Sequence, residues 1–306
     1  MSFLRTLIVA MLAAALPFSA LAQSKPEKPK VSIAVGGKAA FYYLPLTIAE
    51  RLGYFKDEGL DVEISDFEGG SKALQAVVGG SADVVSGAWE NTIDQQPKGL
   101  QLQGFVLEGR YPMICLALAK SKAANYKSPK DLKGMKIGVS APGSSTNRMV
   151  LHMLAKDGLK GDDVSIIGVG TSAGVVAAIT SGQVDAVSNL DPVIAKLEKM
   201  GAVVIIADTR TAKGTEAVFG TADMPAGALY APISFIQKNP NTVQALTNAM
   251  VRALIWIQKA TPEDVVASVP PEYLAAFNPA IKPADIKLAQ TFDNSYAQKA
   301  LAKYKR

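Results

Sequence analysis

The feature that most constrains this chain is an order of elements that occurs twice. "VSIAVG" (31–36) is a short β-branched run ending in glycine, and Leu44, Ile48 and Leu52 follow at helical spacing. "RLGYFKDEGLDVEI" (51–64) then leads from that helix into the alternating strand "LDVEISDF". A glycine loop at Gly69-Gly70-Ser71, a helix over 72–79 and the strand "GGSADVVSG" complete the first pass. The second pass begins at "MKIGVS" (135–140). It continues through the loop "APGSST", a helix with Met149, Met153 and Leu154 on one face, the strand "DVSIIGVG", a helix over "AGVVAAITSG" and the strand "QVDAVSNL". With Asp83 set against Asp185, Gly80 meets Gly182, Val85 meets Val187 and Ser86 meets Ser188. Asp61-Val62 meets Asp163-Val164 at the same offset, and "AKDGLKGDDVSII" (155–167) is a weaker copy of the turn at 51–64.

Strand–helix–strand–helix–strand implies parallel strands with helices covering the sheet, and two copies imply two α/β lobes. Tyr54 and Phe55 are then expected to fill the junction between helix and sheet. "GLQLQGFVLEG" and "YPMICLALA" read as strands that leave the first unit and start the second, and "GALYAPISFI" (227–236) reads as a strand leading back. Helices follow: "TVQALTNAMVRALIWIQKA" with Ala245, Met250, Leu254 and Ile257 on one face, then "PEDVVASV", "KPADIKLAQ" and "SYAQKALAKY". The expected boundaries are a first lobe over 23–110, a second over 111–228, and a return strand with helices packing on the first lobe over 229–306.

The opening "MSFLRTLIVAMLAAALPFSALA" has one cation, an apolar stretch broken by Pro17 and Ser19, and an Ala20-Leu21-Ala22 ending. This is the layout of a secretory signal peptide cleaved after Ala22, in preference to a membrane anchor. No cysteine stands at the cut to take a lipid, so export and release are expected. The rest is long enough for two ordinary domains. The formal net charge is +5, and the cations are dispersed, which gives neither a nucleic-acid stripe nor a polybasic membrane patch. Cys115 is the single cysteine, so an internal disulfide is excluded, and its setting in "MICLALA" reads as buried.

In open α/β sheets, ligands meet the loops beyond the carboxyl ends of strands, where helix N-termini offer free N–H groups. The repeat places six such loops: "GGKAAFYY" (36–43), "FEGGS" (67–71) and "SGAWEN" (86–91), then "SAPGSST" (140–146), "GVGTSAG" (168–174) and "SNLDP" (188–192). The candidate ligand-binding residues are therefore Phe41, Tyr42, Gly70, Ser71, Trp89 and Glu90 from the first three. Ser144, Ser145, Thr146, Thr171, Ser172, Asn189 and Asp191 come from the others. The Ser and Thr residues could equally serve as helix caps, a role compatible with holding a ligand. Trp89 and Tyr111 have two open readings, stacking on a ligand or packing in the core. Arg110, after a glycine and beside the crossover, is the best-placed cation for an anion, with a surface ion pair as its other reading. Lys38 and Lys72 read as solvated.

Several chemistries lack their parts. "GTSAG" (170–174) fits the nucleophile-elbow pattern, but the only histidine, His152, precedes Ser172 in the chain, the reverse of the required order. One histidine and one cysteine cannot build the common zinc sites. "VGGKAA" lacks the upstream glycine of a phosphate loop. No metal or cofactor motif remains.

"YLPLTIAERLGYFKDEGLDVEI", "GGSKALQAVVGGSADV", "DLKGMKIGVSAPGSS" and "KNPNTVQALTNAMVRALIWI", with the signal peptide and two lobes, together resemble one family. It is the solute-binding proteins of bacterial ABC importers, in the branch with taurine, alkanesulfonate, nitrate and thiamine-pyrimidine-precursor binders. The resemblance implies a two-lobed type II periplasmic binding fold that closes on its solute and docks on an inner-membrane permease, as a monomer without catalysis. The eukaryotic pyrimidine-synthesising relatives use a cysteine-rich segment and histidine, both absent here. The expected solute is a small organic anion, a carboxylate or sulfonate with Arg110 as its anchor, whose apolar or aromatic body would lie against Tyr42 and Trp89. The alternative from another class is a hydrolase or isomerase on the same lobes.

Overall fold

The computed structural model describes residues 25–269. The signal peptide and the helices expected over 282–290 and 295–304 lie outside the described residues. In chain order the first unit comprises β1 (Lys30–Gly36), α1 (Leu44–Arg51), α2 (Tyr54–Asp57), β2 (Asp61–Phe67), α3 (Gly70–Val78), β3 (Val84–Ala88), α4 (Glu90–Asp94) and β4 (Leu102–Leu107). The second holds β5 (Ile114–Ala119), α5 (Lys120–Ala123), β6 (Lys136–Val139), α6 (Ser145–Lys156), β7 (Ser165–Gly168) and α7 (Ala173–Thr180). It continues with β8 (Ala186–Leu190), α8 (Val193–Lys199), β9 (Val203–Asp208) and α9 (Ala212–Phe219). β10 (Gly227–Pro232), α10 (Ile233–Lys238), α11 (Pro240–Lys259) and α12 (Pro262–Ser268) follow.

Two five-stranded sheets result, ordered β2-β1-β3-β10-β4 and β7-β6-β8-β5-β9. The three strands of each sequence repeat pair in parallel, β1 with β2 and β3, and β6 with β7 and β8. The outer pairings are antiparallel, β10 with β3 and β4, and β5 with β8 and β9. The sheets are therefore mixed, and their matching orders extend the repeat from three strands to five. The strand expected over 227–236 ends at Pro232, and residues 233–238 are helical. Pro232 has no N–H with which to continue the ladder, so the strand stops there.

The equivalence of Asp83 and Asp185 has a physical cause. The Asp83 carboxylate accepts from the Ser32 N–H at 3.0 Å, and the Asp83 N–H donates to the Ser32 carbonyl at 3.0 Å. In the second sheet Asp185 accepts from the Lys136 N–H at 2.9 Å and donates its own N–H to the Lys136 carbonyl at 2.7 Å. Each aspartate thus ties the start of the third strand of its repeat to the first. Lys28 pairs with Asp83 and Lys122 with Asp185. Burial pushes both carboxyls up, but the Lys28 ammonium and Ser32 donors outweigh it at Asp83. The Lys136 N–H and Lys122 do so at Asp185, and both carboxyls lie below their ordinary value.

Phe55 is buried in the main core, as expected, while Tyr54 is partly buried beneath Arg252 of α11, whose guanidinium lies 4.2 Å from the ring centroid. α11 buries Val243, Leu246, Ala249, Met250 and Ala253 at helical spacing and packs on α1 and α2, so this C-terminal helix belongs to the first unit.

The chain crosses between sheets twice, over 108–113 and over the stretch from Thr209 to Ala226 that carries α9. The crossings are hydrogen-bonded to each other: the Ala226 N–H donates to the Gly109 carbonyl and the Met113 N–H to the Thr209 carbonyl. The return crossing therefore precedes residue 227, because Gly227–Pro232 already lies inside the first sheet, whereas the sequence suggested that 227–236 itself leads back.

Asp83→Ala and Asp185→Ala should each cost about 1–3 kcal/mol at pH 7 by leaving a strand N–H unpaired. The costs should add, since the sites lie in separate sheets. Both folded pKa values are depressed, so the contribution is full above the unfolded value of about 3.9 and is lost as pH falls through the folded value. Urea unfolding at pH 7 and at pH 2.5 measures both effects. Variants as stable as wild type at pH 7 would show the braces to be incidental.

Candidate functional site

The carboxyl ends of β1, β2 and β3 face those of β6, β7 and β8, and the six loops beyond them meet across a cleft. The Ser71 hydroxyl donates to the Pro142 carbonyl at 2.9 Å, and the Phe41 N–H donates to the Asp191 carbonyl at 2.9 Å. A Cβ on Gly37 would fall 2.2 Å from the Thr171 hydroxyl oxygen, and the φ of +96° at Gly37 itself favours glycine. A Cβ on Gly36 would lie 2.3 Å from the Gly70 nitrogen, so a bare backbone lets the start of α3 sit against β1. The contacts of Ser71 with Pro142, Phe41 with Asp191 and Gly37 with Thr171 bring the two walls together.

Two adjoining spaces lie in the cleft. The first is a narrow pocket bordered by Gly36, Tyr42, Gly70, Ser144, Ser145 and Thr146 among others, where α3 and α6 begin. The Ser144 hydroxyl donates to the Ala141 carbonyl at 2.6 Å instead of capping the helix, and Thr146 Oγ1 accepts from the Ser140 N–H at 2.9 Å. The first N–H groups of α6 accordingly keep no intrahelical or side-chain cap, a setting that favours negative charge.

The second space is a cavity of about 240 Å³ along one face of α6. Ser145, Arg148, Met149 and His152 stand at i, i+3, i+4 and i+7 on that face. Tyr42, Pro112, Ile114 and Ser145 border both spaces, so the two lie side by side.

Arg148 reaches across the cleft from α6 to α4. It donates to Asn91 Oδ1 at 2.9 Å, pairs tightly with Asp94, and approaches Glu90 Oε1 at 3.5 Å. Asn91 in turn donates to the Tyr230 hydroxyl at 2.9 Å. These contacts engage three of the five N–H donors a guanidinium carries. His152 donates through Nε2 to the Val218 carbonyl at 2.9 Å, and its ring leans on Phe219 at a centroid distance of 4.7 Å.

The sequence-derived candidates divide on this geometry. Tyr42, Gly70, Glu90, Ser144, Ser145 and Thr146 border the two spaces. Thr171 and Ser172 line a separate open mouth with Asp66 and Glu68, and Ser71 closes the cleft through Pro142. Phe41 is exposed, with its backbone tied to Asp191. Asn189 is buried and braces its neighbouring loop through the Gly170 carbonyl at 2.9 Å. Asp191 is held by Arg210 at 3.3 Å and by the Ala195 N–H at 3.0 Å. Trp89 packs its indole on Gly104 inside the first unit and borders neither space. Arg110 is exposed, its guanidinium 5.8 Å from the Tyr111 ring centroid, and it borders neither space either. The cation inside the cleft is Arg148, which the sequence reading passed over. Its spacing of three from Ser145, on the helix that follows the "APGSST" loop, was the available signal.

Two buried acids lie close to the cleft. The Tyr42 phenol is pushed well above its usual range by burial and by the charges of Glu90, Tyr43 and Glu108, so it remains a neutral donor. Glu108, at the start of the first crossing, is buried and accepts both of its hydrogen bonds from the Ser86 hydroxyl, at 2.8 and 3.0 Å. Burial raises its carboxyl to about 8, against a smaller lowering by Ser86. No group of three His, Cys, Asp or Glu converges as a metal site among the described residues.

With this geometry in place, the chain belongs to the NMT1/THI5 like family, whose model matches residues 40–264. A solved structure from Bordetella bronchiseptica RB50 is 52% identical, covers 92% of this chain and 100% of its own, and superposes with a TM-score of 0.79. The alkanesulfonate-binding protein SsuA from Xanthomonas axonopodis pv. citri, bound to MOPS, shares the fold at 21% identity over 90% of this chain and 91% of that one, with a TM-score of 0.64. Binding protein YtlA of Bacillus subtilis (strain 168) is 23% identical over 83% of this chain and 74% of its own. A shorter match, 29% identical over 36% of this chain and 32% of the other, reaches the 4-amino-5-hydroxymethyl-2-methylpyrimidine phosphate synthase of Candida albicans (strain WO-1). The architecture is that of the two-lobed periplasmic binding proteins.

Glu108 provides a pH test. Its folded pKa of about 8 exceeds the unfolded value of about 4.3, so the folded state keeps a proton that the unfolded state has lost between those values. Stability should therefore fall with rising pH across that window, by up to about 1.4 kcal/mol per unit, while Glu108→Gln removes this component. Urea unfolding at pH 5, 6.5 and 8 should show wild type losing ground steadily to the Gln variant. Parallel curves would mean that Glu108 titrates as an ordinary carboxylate.

Proposed function

We propose that this protein is the periplasmic solute receptor of an ABC importer, exported by the signal peptide at residues 1–22. It captures a small organic anion between its two lobes and hands it to an inner-membrane permease. The observation that carries this reading is the cleft itself: the uncapped start of α6 and the guanidinium of Arg148 face a common space from one wall, opposite Tyr42 and the start of α3. The binding proteins among its relatives support the same role. The single histidine is tied to the Val218 carbonyl, and no metal ligands converge among the described residues, which supports binding over catalysis.

In this reading the carboxylate or sulfonate of the solute sits at the start of α6, with Ser145 and the first helical N–H groups as donors. Arg148 takes the anchoring role first assigned to Arg110. Its fork can bridge the solute to α4, so that binding on one wall tightens the hold on the other. The unengaged donors of Arg148 make this possible without breaking the pair to Asp94.

A ligand that binds only the folded state stabilises it by about 2.7 kcal/mol at a hundred times its dissociation constant. A thermal-shift screen of carboxylates, sulfonates, nitrate and pyrimidines should thus give a clear rise in melting temperature, with no turnover of the compound found. Arg148→Gln should weaken that compound about ten- to a hundredfold by calorimetry, the value of a charge-assisted hydrogen bond. Arg110→Gln should leave the affinity nearly unchanged. Wild-type affinity in Arg148→Gln would remove the anion from the reading, and turnover would replace the receptor with an enzyme.

A further inference from the structure

We propose that Glu108 is a proton-operated latch at the joint between the lobes. While it holds its proton the two crossings stay packed and the cleft drawn together, and release of that proton to water lets the lobes part. This rests on the two-lobed hinge of the receptor reading above, not on the identity of the solute, and adds a regulation to it.

The position of Glu108 carries the argument. Its N–H donates to the Gly227 carbonyl at 2.7 Å, where the first crossing leaves β4 and the return crossing enters β10. A Cβ on Gly227 would lie 3.2 Å from Glu108 Oε2 and 3.1 Å from Tyr42 Cε1, so the carboxyl and the phenol ring rest on the same bare backbone. Tyr42 borders both spaces of the cleft, which puts the carboxyl one side chain away from them. At the other end of the crossing Met113 holds a φ of +57°, a left-handed conformation that a non-glycine residue adopts only under constraint. Such residues gather at switching segments.

The surroundings suit the acid and not its anion. Ser86 on β3 lies 2.8 and 3.0 Å from the two carboxyl oxygens, but its hydroxyl has a single proton to give. The titratable groups facing Glu108 are Tyr42 and Tyr43 from the turn after β1 and Tyr230 from β10, all buried phenols. Beyond those rings Glu90 of α4 adds negative charge, and Arg148 is drawn to Asp94 and Asn91. Arg110, two residues along the crossing, is exposed beside Tyr111, and among the described residues no cation pairs with Glu108.

A charge formed here must therefore be hydrated. Water reaches the carboxyl from the cleft when the turn carrying Tyr42 lifts off Gly227. That turn is bound across the cleft by the Phe41 N–H to the Asp191 carbonyl, so hydrating Glu108 works against a contact that holds the walls together. An ionised Glu108 also repels an anion in the adjoining spaces. Proton and anionic solute thus favour one another, and the coupling is reciprocal.

Small-angle scattering on the solute-free full mature chain, from pH 6 to pH 9.5, tests this without any ligand. The radius of gyration is expected to rise with pH, with a midpoint near the Glu108 value of about 8. Glu108→Gln, which cannot ionise, should keep the low-pH radius throughout. Ser86→Ala should move the midpoint to higher pH, because the Ser86 hydrogen bond lowers the Glu108 value. A wild-type radius that does not change with pH would overturn the latch. So would an equal rise in wild type and Glu108→Gln, or a midpoint unmoved in Ser86→Ala. If the Gln variant does not fold, wild type and Ser86→Ala decide between the same outcomes. None of these results bears on the solute, so the latch can fall while the receptor reading stands on its own screen and on Arg148→Gln.

Discussion

The first sheet of this protein is completed by a strand that its two neighbours precede by the whole second unit. β10 enters between β3 and β4 only after the chain has traversed the whole second unit, and β5 enters between β8 and β9 at the start of that unit. Backbone donors and acceptors in a sheet interior must be paired, so these insertions leave the chain little choice of path. The two crossings must run side by side, and they bond to one another at Gly109–Ala226 and Met113–Thr209. The cleft, the facing helix starts and the placement of Glu108 all follow from that arrangement.

Much of this was legible in the sequence because it is local. The β-branched runs, the glycine-marked turns and the pair Asp83/Asp185 announced two copies of one unit, and the loops beyond their strands do meet across the cleft. What could not be read depended on which surface of an element looks at a distant one. Arg110 and Arg148 are both single cations near loop ends, and only the rotation of α6 places Arg148 over the cavity. Trp89 follows a cleft-facing strand, yet its ring is taken up by Gly104 of β4. The antiparallel position of β10 and the short strand β9 likewise depend on pairings between segments far apart in the chain, which alternation alone does not encode. The span from 193 to 219, with α8, β9 and α9, carried no expectation at all, although Thr211 accepts a helix-starting bond from the Gly214 N–H.

The electrostatics of the cleft are arranged so that few charges are left idle. Asp191 is spent on Arg210, which also holds Asp208 and Glu198, and Asp94 is spent on Arg148. Glu108 avoids charge by remaining protonated at neutral pH, an alternative to pairing for a buried carboxyl. The interior therefore presents mainly neutral donors, and the guanidinium of Arg148 is the conspicuous positive group in it. On the proposed reading, selection at this site rests on shape and one directed charge, in place of a broad field.

The late insertion of β10 also bears on the order in which the molecule is assembled. Every strand of the second sheet lies between Ile114 and Asp208, a continuous stretch that can pair internally. The first sheet starts earlier in the chain but cannot join β3 to β4 until Gly227–Pro232 arrives to sit between them. The part of the chain that emerges first is thus the part that closes last, since contacts of high sequence separation are slow to form. Until then the β3 edge stands open, and whatever holds the emerging chain extended until the later residues have followed would keep that edge from pairing elsewhere.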